Sequence, residues 1–464
     1  MHKVKIGEAL YKASDGERLS EVLIRNGIAV EHPCGGRGTC EKCKVIVNGK
    51  AELSCKYEIY SDITVELYDT SEILSESGAA ESGVVTENLA FALDIGTTTL
   101  ALALVSLDEK RVVKVVTASN PQRIFGADIM TRISYCKQNG TYKLNNVLMH
   151  EINRMISSFK SVNVDALFVS GNSTMLHLFF DVDCTSIGVA PYTPVFLESK
   201  TLNASDIGIT GVNRIISLPS ISSFVGADIV SGLDCIGMPP QGKYNLLIDL
   251  GTNAEIVLYS NNSGVATAAA AGPCFEGAGI SCGMSATSGA IYSFEMQNGE
   301  TIYKTIDGAA PVGICGTGLI DVITELVRND VIDESGYMDE DYAICDGVSL
   351  SVSDVRQYQL AKSAVCSAIL TLMKRENISY NDIAAMYISG GFSAKINIRN
   401  AADSGLLPKE LSNKAIAINN SSLLGTVKFA CESGDLSFYT DKIKYVDLSC
   451  DSYFSSLFIE NMMF

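Results

Sequence analysis

The sequence predicts an α/β protein: a small β-rich module followed by a larger body of alternating strands and helices. Three observations carry this. From residue 89 onward, apolar strand signals alternate with helix signals. Within that stretch an Asp-x-Gly-Thr turn occurs twice, each time after an apolar strand. Before it, the first 68 residues hold short strand-like runs around a loop rich in cysteine and glycine.

The chain has 464 residues, 47% of them hydrophobic and 19% charged. That suffices for about two to four domains with real cores and excludes wholesale disorder. The net charge of −18 repels phosphate backbones, so no nucleic-acid partner is expected. Mean hydropathy is +0.20, yet the richest apolar stretch, residues 89–107, is broken by Asp94, Gly96 and a threonine triplet. No membrane span is expected from it. The first residues, Met-His-Lys-Val-Lys, carry no apolar core of a secretory signal, so a cytoplasmic protein is expected.

Charge divides the chain. Residues 1–68 carry ten basic and ten acidic groups, residues 69–88 five acidic and no basic ones, and residues 89–464 the remaining −13. The middle stretch is rich in Ser, Gly and Ala and reads as a flexible acidic linker. We therefore expect a first domain at 1–68, a linker at 69–88, and a body at 89–464 of two subdomains that split near residue 240.

The elements follow in order. In the first domain, residues 3–6, 44–47 and 63–67 read as strands, and 19–26 as a short helix ending at Gly27. In the body, 91–95 and 100–107 flank one Gly-Thr turn, and 246–250 and 255–259 flank the other. Residues 166–170 form a strand leading into a helix near 174–180, and 385–389 form a strand that runs into Gly390-Gly391. The strongest helix is 352–374: Ser353 can cap it, and Val355, Leu360, Val365, Ile369 and Met373 recur at three-to-five spacing.

Four of the fourteen cysteines, Cys34, Cys40, Cys43 and Cys55, lie in the first 55 residues, spaced C-x5-C-x2-C-x11-C. A [2Fe-2S] cluster takes four thiolates, three from one tight loop and the fourth from elsewhere. Gly35, Gly36 and Gly38 remove side-chain bulk, so backbone amides can approach inorganic sulfide. A structural zinc site is the alternative, but zinc favours two separated CxxC knuckles and only one is present. The other ten cysteines are scattered and read as small buried hydrophobes. Cys274, Cys282 and Cys315 sit beside glycines, at a spacing that fits no metal pattern. His177 could face a partner, but a packed helical histidine is the simpler reading.

The two turns are Asp94-Ile95-Gly96-Thr97-Thr98-Thr99 and Asp249-Leu250-Gly251-Thr252-Asn253-Ala254-Glu255, 155 residues apart, the length of a duplicated subdomain. Gly lets backbone amides close on phosphate oxygens, Thr hydroxyls add donors, and a strand-end Asp can hold Mg²⁺ through water. Two such hairpins facing each other would clamp a triphosphate. A pair of ordinary hairpin turns is the plainer alternative, since Gly and Asp favour turns anyway. A third strand ends in Ser389-Gly390-Gly391-Phe392.

With these residues in view, two resemblances emerge. The first domain resembles the [2Fe-2S] ferredoxins, with an adrenodoxin-like C-x5-C-x2-C loop; it departs from them in the short gap to Cys55. The body resembles the acetate and sugar kinase/Hsp70/actin superfamily, with the turns as its phosphate-1 and phosphate-2 motifs and Gly390-Gly391 as its adenosine motif. Within that superfamily, Ser170-Gly171-Asn172-Ser173-Thr174, Phe224-Val225-Gly226-Ala227-Asp228, Ala271-Gly272-Pro273-Cys274-Phe275-Glu276-Gly277 and Gly313-Ile314-Cys315-Gly316-Thr317-Gly318 resemble the reductive activators of corrinoid enzymes. Arg356-Gln357-Tyr358-Gln359-Leu360-Ala361-Lys362 fits them as well.

The resemblance implies an N-terminal β-grasp ferredoxin-like α+β module followed by a two-subdomain, actin-like and RNase H-like ATPase. It implies a [2Fe-2S] cluster on Cys34, Cys40, Cys43 and Cys55, and ATP with Mg²⁺. Asp94 and Asp249 would position Mg²⁺ and water. Gly96, Thr97, Thr98, Thr99, Gly251, Thr252, Asn253 and Glu255 would line the phosphates, and Gly390 and Gly391 would pass close to the nucleoside. The implied reaction is ATP-dependent one-electron reduction of cobalt(II) to cobalt(I) in a corrinoid protein of a methyltransferase system, fed by an upstream low-potential donor. Related activators imply a homodimer. The better-known activators have a separate middle domain, so a compact member lacking it is expected. Activation of another low-potential metalloenzyme and a nucleotide-gated redox sensor are the alternatives. A small-molecule kinase has no use for a cluster, and activators of radical dehydratases lack an N-terminal ferredoxin.

Overall fold

A computed structural model describes residues 1–6, 9–26, 28, 43–67, 88–159, 164–297, 300–391 and 393–464. Cys34, Cys40, Gly27 and all of the expected linker but Asn88 lie outside the described residues. The described chain forms two compact units: residues 1–228 with 426–433, and residues 229–425 with 434–464.

The N-terminal module is a five-stranded mixed sheet in the order Ala9–Ala13, His2–Ile6, Ile63–Leu67, Lys44–Val47, Lys50–Leu53. Strands His2–Ile6 and Ile63–Leu67 run parallel, and the other neighbours are antiparallel. Alternation places Val45 and Val47 on the buried face. Helix Leu19–Arg25 covers that face with Leu19, Val22 and Leu23, in one core with Val4, Val45, Ile59 and Val65. Burying each such side chain contributes roughly 1.5–3 kcal/mol.

The rest of the first unit is built on a six-stranded sheet in the order Arg111–Ser119, Thr99–Ser106, Leu89–Ile95, Val164–Gly171, Val212–Ser217, Thr201–Asn203. Its central strands are buried along nearly their whole length, which is why they read as continuous apolar runs. Helices Ile129–Asn139 and Tyr142–Ser157 lie in the crossover between the parallel strands Leu89–Ile95 and Val164–Gly171.

The second unit repeats this plan. Its six-stranded sheet runs Ala415–Ala417, Ile383–Ser389, Tyr244–Leu250, Ala254–Tyr259, Gly264–Ala269, Ile443–Tyr445. In both units a three-stranded antiparallel meander is followed, after a crossover, by a strand that pairs parallel to the meander's first strand. Helices Gly316–Arg328 and Val352–Arg375 occupy the second crossover and carry its core.

Two expectations for the long helix are corrected. Its cap is Ser351: the Ser351 hydroxyl accepts from the Asp354 N–H at 3.2 Å, and Asp354 Oδ2 accepts from the Ser351 N–H at 2.9 Å. Ser353 lies inside the first turn. Leu360 is 39% exposed, while Tyr358, Ala361 and Ala364 join Val355, Val365, Ile369 and Met373 in the core. Five residues after Val355 the helix has turned about 140° past its starting face, so Leu360 leaves the stripe.

Candidate functional site

Cys43 precedes strand Lys44–Val47, and Cys55 follows strand Lys50–Leu53. Asn48 and Gly49 join these strands in the left-handed conformation, with φ of 49° and 80°. That is the two-residue hairpin turn whose twist matches its strands, and Asn-Gly is its favoured sequence. The register pairs Lys44 with Leu53, and the Ser54 N–H donates to the Cys43 carbonyl at 3.0 Å. The eleven residues between the cysteines are therefore a hairpin that returns the chain to its start. The two thiols meet at 3.2 Å, beyond the about 2.0 Å of a disulfide bond. Both are buried in the module's core. Two soft donors converging without a disulfide fit a thiolate-ligated centre.

The first Asp-x-Gly-Thr turn lies between strands Leu89–Ile95 and Thr99–Ser106. The Gly96 N–H donates to the Thr99 carbonyl at 3.0 Å. A Cβ on Gly96 would lie 2.5 Å from that oxygen, so the turn requires glycine. Fully buried Arg132 donates to the Thr97 carbonyl at 2.5 Å and to the Gly126 carbonyl at 3.0 Å, and Asn120 Nδ2 donates to the Gly96 carbonyl at 2.8 Å. Asp94, half-buried at the strand end, pairs in register with Ser170, and Ile95 with Gly171. Gly171 has φ +154°, and a Cβ there would lie 2.9 Å from the Ile95 carbonyl. The next residue, Asn172, caps helix Ser173–Phe179 by accepting from the Met175 N–H, and its Nδ2 donates to Thr97 Oγ1 at 3.1 Å. The Thr426 hydroxyl donates to Ser170 at 2.7 Å.

The second turn has the same frame. Asp249 pairs with Ser389 across parallel strands. Gly390 has φ +117°, and a Cβ there would lie 2.2 Å from the Leu250 carbonyl. The Ser389 hydroxyl meets Ser421 at 2.7 Å. Gly391 is exposed with open space beside it. This turn is one residue tighter: the Gly251 N–H donates to the Asn253 carbonyl at 3.0 Å. Glu255 lies opposite Asp249 in the antiparallel register. The Thr252 hydroxyl donates to Glu276 Oε2 at 2.8 Å.

Glu276 ends the short 3-10 turn Pro273–Glu276, which buried Cys274 and Phe275 anchor. Gly277 leaves it with φ +80°. A Cβ on Gly316, at the start of helix Gly316–Arg328, would lie 2.2 Å from the Phe275 carbonyl. The first glycine of the Cys-Gly-Thr-Gly run thus lets a helix end close on the backbone that carries Glu276.

The structure brings Cys43 to Cys55, and Gly390 to the strand carrying Asp249. Asp94 with Gly96, Thr97, Thr98 and Thr99 belongs to the first unit, and Asp249 with Gly251, Thr252, Asn253 and Glu255 to the second. His177 is 1% exposed, and both ring nitrogens are engaged: Nδ1 with the Ser173 carbonyl at 2.7 Å and Nε2 with the Val195 N–H at 3.0 Å. Its ring stacks on Phe196, so the packed reading holds. Cys315 bonds the Ile291 carbonyl and Thr317, and Cys282 the Gly347 carbonyl and the Ser349 N–H. Burial pushes the Cys274 thiol up to about 12. These three act as separate packed thiols. Sequence reasoning missed the pairing roles of Ser170-Gly171 and the contact partners Asn172, Arg132 and Glu276. The repeated apolar strand ending in Ser-Gly was the available signal for the first; Glu276, 24 residues from Thr252, left none.

Three family models match in chain order. Residues 5–63 match a 2Fe-2S iron-sulfur cluster binding domain, 89–241 the RACo middle region, and 243–464 the C-terminal domain of RACo, the ASKHA domain. The expectation of a missing middle domain is thereby corrected: that region is present and holds the first turn. The chain is 28% identical over 415 residues to the corrinoid activation enzyme RamQ of Eubacterium limosum, covering 80% of this chain and 70% of that one. It is 28% identical over 371 residues to the [Co(II) methylated amine-specific corrinoid protein] reductase of Methanosarcina barkeri, covering 72% and 68%. A solved structure of a reductive activator for a corrinoid, iron-sulfur protein superposes with a TM-score of 0.73 at 26% identity, covering 100% of this chain and 98% of that one. Among the described residues no helix is long and apolar enough to cross a membrane. A cluster-binding domain, the middle region and the ASKHA domain stand here in one chain and in that order, and the chain belongs to the RACo-type family.

Proposed function

We propose that the chain is an ATP-dependent reductive activator of a corrinoid protein. The observation that carries this is the end-to-end match, at a TM-score of 0.73, to an activator of that kind. Cobalt(II) in the partner accepts one electron and becomes cobalt(I), ready for methyl transfer. A [2Fe-2S] cluster held by Cys34, Cys40, Cys43 and Cys55 supplies a one-electron donor; the meeting of Cys43 and Cys55 supports this ligand set.

ATP with Mg²⁺ is the nucleotide substrate. Asp94 and Asp249 stand at the ends of buried strands, where a carboxylate can hold hydrated Mg²⁺. The turn glycines offer backbone groups and the threonines of the first turn hydroxyl groups to phosphate, and Gly391, with open space beside it and next to Gly390, leaves room for the nucleoside. Nucleotide state shifts the conformation only through different affinities for two forms, so ATP binding and hydrolysis select between them. The partner is the corrinoid protein of a cytoplasmic methyltransferase system, an upstream low-potential donor reloads the chain, and the working form is a homodimer.

The test is anaerobic visible spectroscopy of a cobalt(II) corrinoid protein mixed with catalytic amounts of this chain and a reductant, with and without ATP. Cobalt(I) forming only with ATP is the expected result. Equal rates without ATP, or none with an intact cluster across the organism's corrinoid proteins, refute it. Asp94→Ala is expected to abolish ATP turnover and leave the cluster's spectrum unchanged.

A further inference from the structure

The two turns share a backbone plan, but their first threonines hydrogen-bond in opposite senses. In the first turn Asn172 Oδ1 is engaged by the Met175 N–H at 3.0 Å. This fixes the amide, so Nδ2 faces Thr97 and donates to its hydroxyl oxygen at 3.1 Å. The Thr97 proton is left to donate outward. In the second turn the Thr252 hydroxyl gives its proton to Glu276 Oε2 at 2.8 Å. A carboxylate only accepts, so Thr252 turns lone pairs outward. Lone pairs repel phosphate oxygens and welcome a hydrogen of water.

We propose that Glu276 is a positioning residue for ATP hydrolysis, acting through Thr252. With its own proton committed to Glu276, the Thr252 oxygen accepts one hydrogen of the attacking water and aims the water's lone pair at the γ-phosphorus. The water oxygen bonds to that phosphorus, the bond from phosphorus to the β,γ-bridging oxygen breaks, ADP leaves with that oxygen, and the water's proton passes to the released phosphate. Thr97, held as a donor by Asn172, is the phosphate ligand; Thr252 is not. The inference rests on the reading that the chain hydrolyses ATP. Anchoring of the Pro273–Glu276 turn by buried Phe275, with Gly316 packed on its carbonyl, gives the carboxylate the fixed place that positioning requires.

The test uses the full chain, purified anaerobically, with phosphate release as the turnover assay and calorimetric binding of AMP-PNP with Mg²⁺ as the affinity assay. Glu276→Gln replaces an acceptor-only carboxylate with an amide that can donate to Thr252 or accept from it, so the hydroxyl loses its fixed sense. We expect kcat to fall at least about tenfold, while the AMP-PNP Kd stays within about threefold. Thr252→Val is expected to show the same loss, Thr252→Ser to recover most of it, and the double variant to fall no lower than either single one. Should Glu276→Gln fail to fold, the Thr252 pair carries the test. Wild-type turnover in Glu276→Gln, a Kd that rises in step with the fall in kcat, or additive losses in the double variant overturn the proposal. A wild-type chain that binds AMP-PNP but releases no phosphate overturns the hydrolysis reading itself, and is recognised before any variant is made.

Discussion

Asn172 does two jobs with two atoms, and a pair of substitutions separates them. Its Oδ1 caps helix Ser173–Phe179, and its Nδ2 holds the Thr97 hydroxyl. Asn172→Ala removes both. Loss of a cap costs about 1 kcal/mol, and loss of a partly buried side-chain hydrogen bond about another 1 kcal/mol. At roughly 2–4 °C per kcal/mol for a unit of this size, the first unit's melting point is expected to drop about 4–8 °C. Asn172→Asp keeps the cap, since Asp caps as well as Asn, so stability changes by less than about 0.5 kcal/mol. The new carboxylate takes the Thr97 proton, however, and the first turn acquires the hydrogen-bond sense of the second. A donor to phosphate becomes an acceptor beside a new negative charge. A charge-assisted hydrogen bond is worth about 1.5–3 kcal/mol, so ATP affinity is expected to fall at least about tenfold. Scanning calorimetry and isothermal titration with Mg²⁺–ATP read the two effects separately. Asn172→Asp with wild-type affinity refutes the use of the Thr97 proton, and Asn172→Asp as unstable as Asn172→Ala refutes the capping account.

Four further outcomes are expected. Gly390→Ala, at φ +117° with its Cβ 2.2 Å from the Leu250 carbonyl, destabilises the second unit by at least about 1–3 kcal/mol, whereas Gly391→Ala, facing open space, changes it by less than about 0.5 kcal/mol in calorimetry. Burial holds His177 below the ordinary imidazole range, so the unfolded chain binds more protons on acidification. The first unit therefore loses stability as pH falls below about 6.5, and His177→Gln flattens that slope in melting curves. Asp321 behaves oppositely: burial raises it to about 6, so its contribution to the second unit is present at lower pH and is lost as pH rises through 6, a dependence that Asp321→Asn removes. Cys55→Ser abolishes the cluster's visible absorption but leaves AMP-PNP binding, measured by calorimetry, unchanged.

The strands were legible because burial on both faces leaves long apolar runs, and the turns because Asp-x-Gly-Thr repeats after two of them. The meaning of the eleven-residue gap before Cys55 was not. It reads as a trimmed ferredoxin, yet Asn48-Gly49 marks it as a hairpin that carries Cys55 back to Cys43. The sequence offers two serines, Ser351 and Ser353, at the start of the long helix; only Ser351 has Asp354 three positions later to complete the box. Arg132 and Glu276 stayed hidden for a different reason. Each reaches its threonine from a separate segment, 35 and 24 residues further along the chain, and no periodicity links the pairs.

The same distinction separates the two turns chemically. What the duplication repeats is backbone: the buried strand, the Asp, and the Ser-Gly whose glycine clears the carbonyl after that Asp. These shared features alone do not set the sense of either hydroxyl. The difference comes from one side chain brought to each hydroxyl from outside the repeat, an amide at 3.1 Å in one case and a carboxylate at 2.8 Å in the other. Hydroxyls are donor and acceptor at once, and a single fixed neighbour decides which face remains. On the proposal made above, the repeated plan supplies a pair of similar frames, and one side chain from outside each turn makes the first a phosphate ligand and the second a holder of water. On that proposal, Asn172→Asp and Glu276→Gln introduced together lose both the phosphate donor and the fixed water acceptor, and phosphate release by the double variant is expected to be no higher than by either single one.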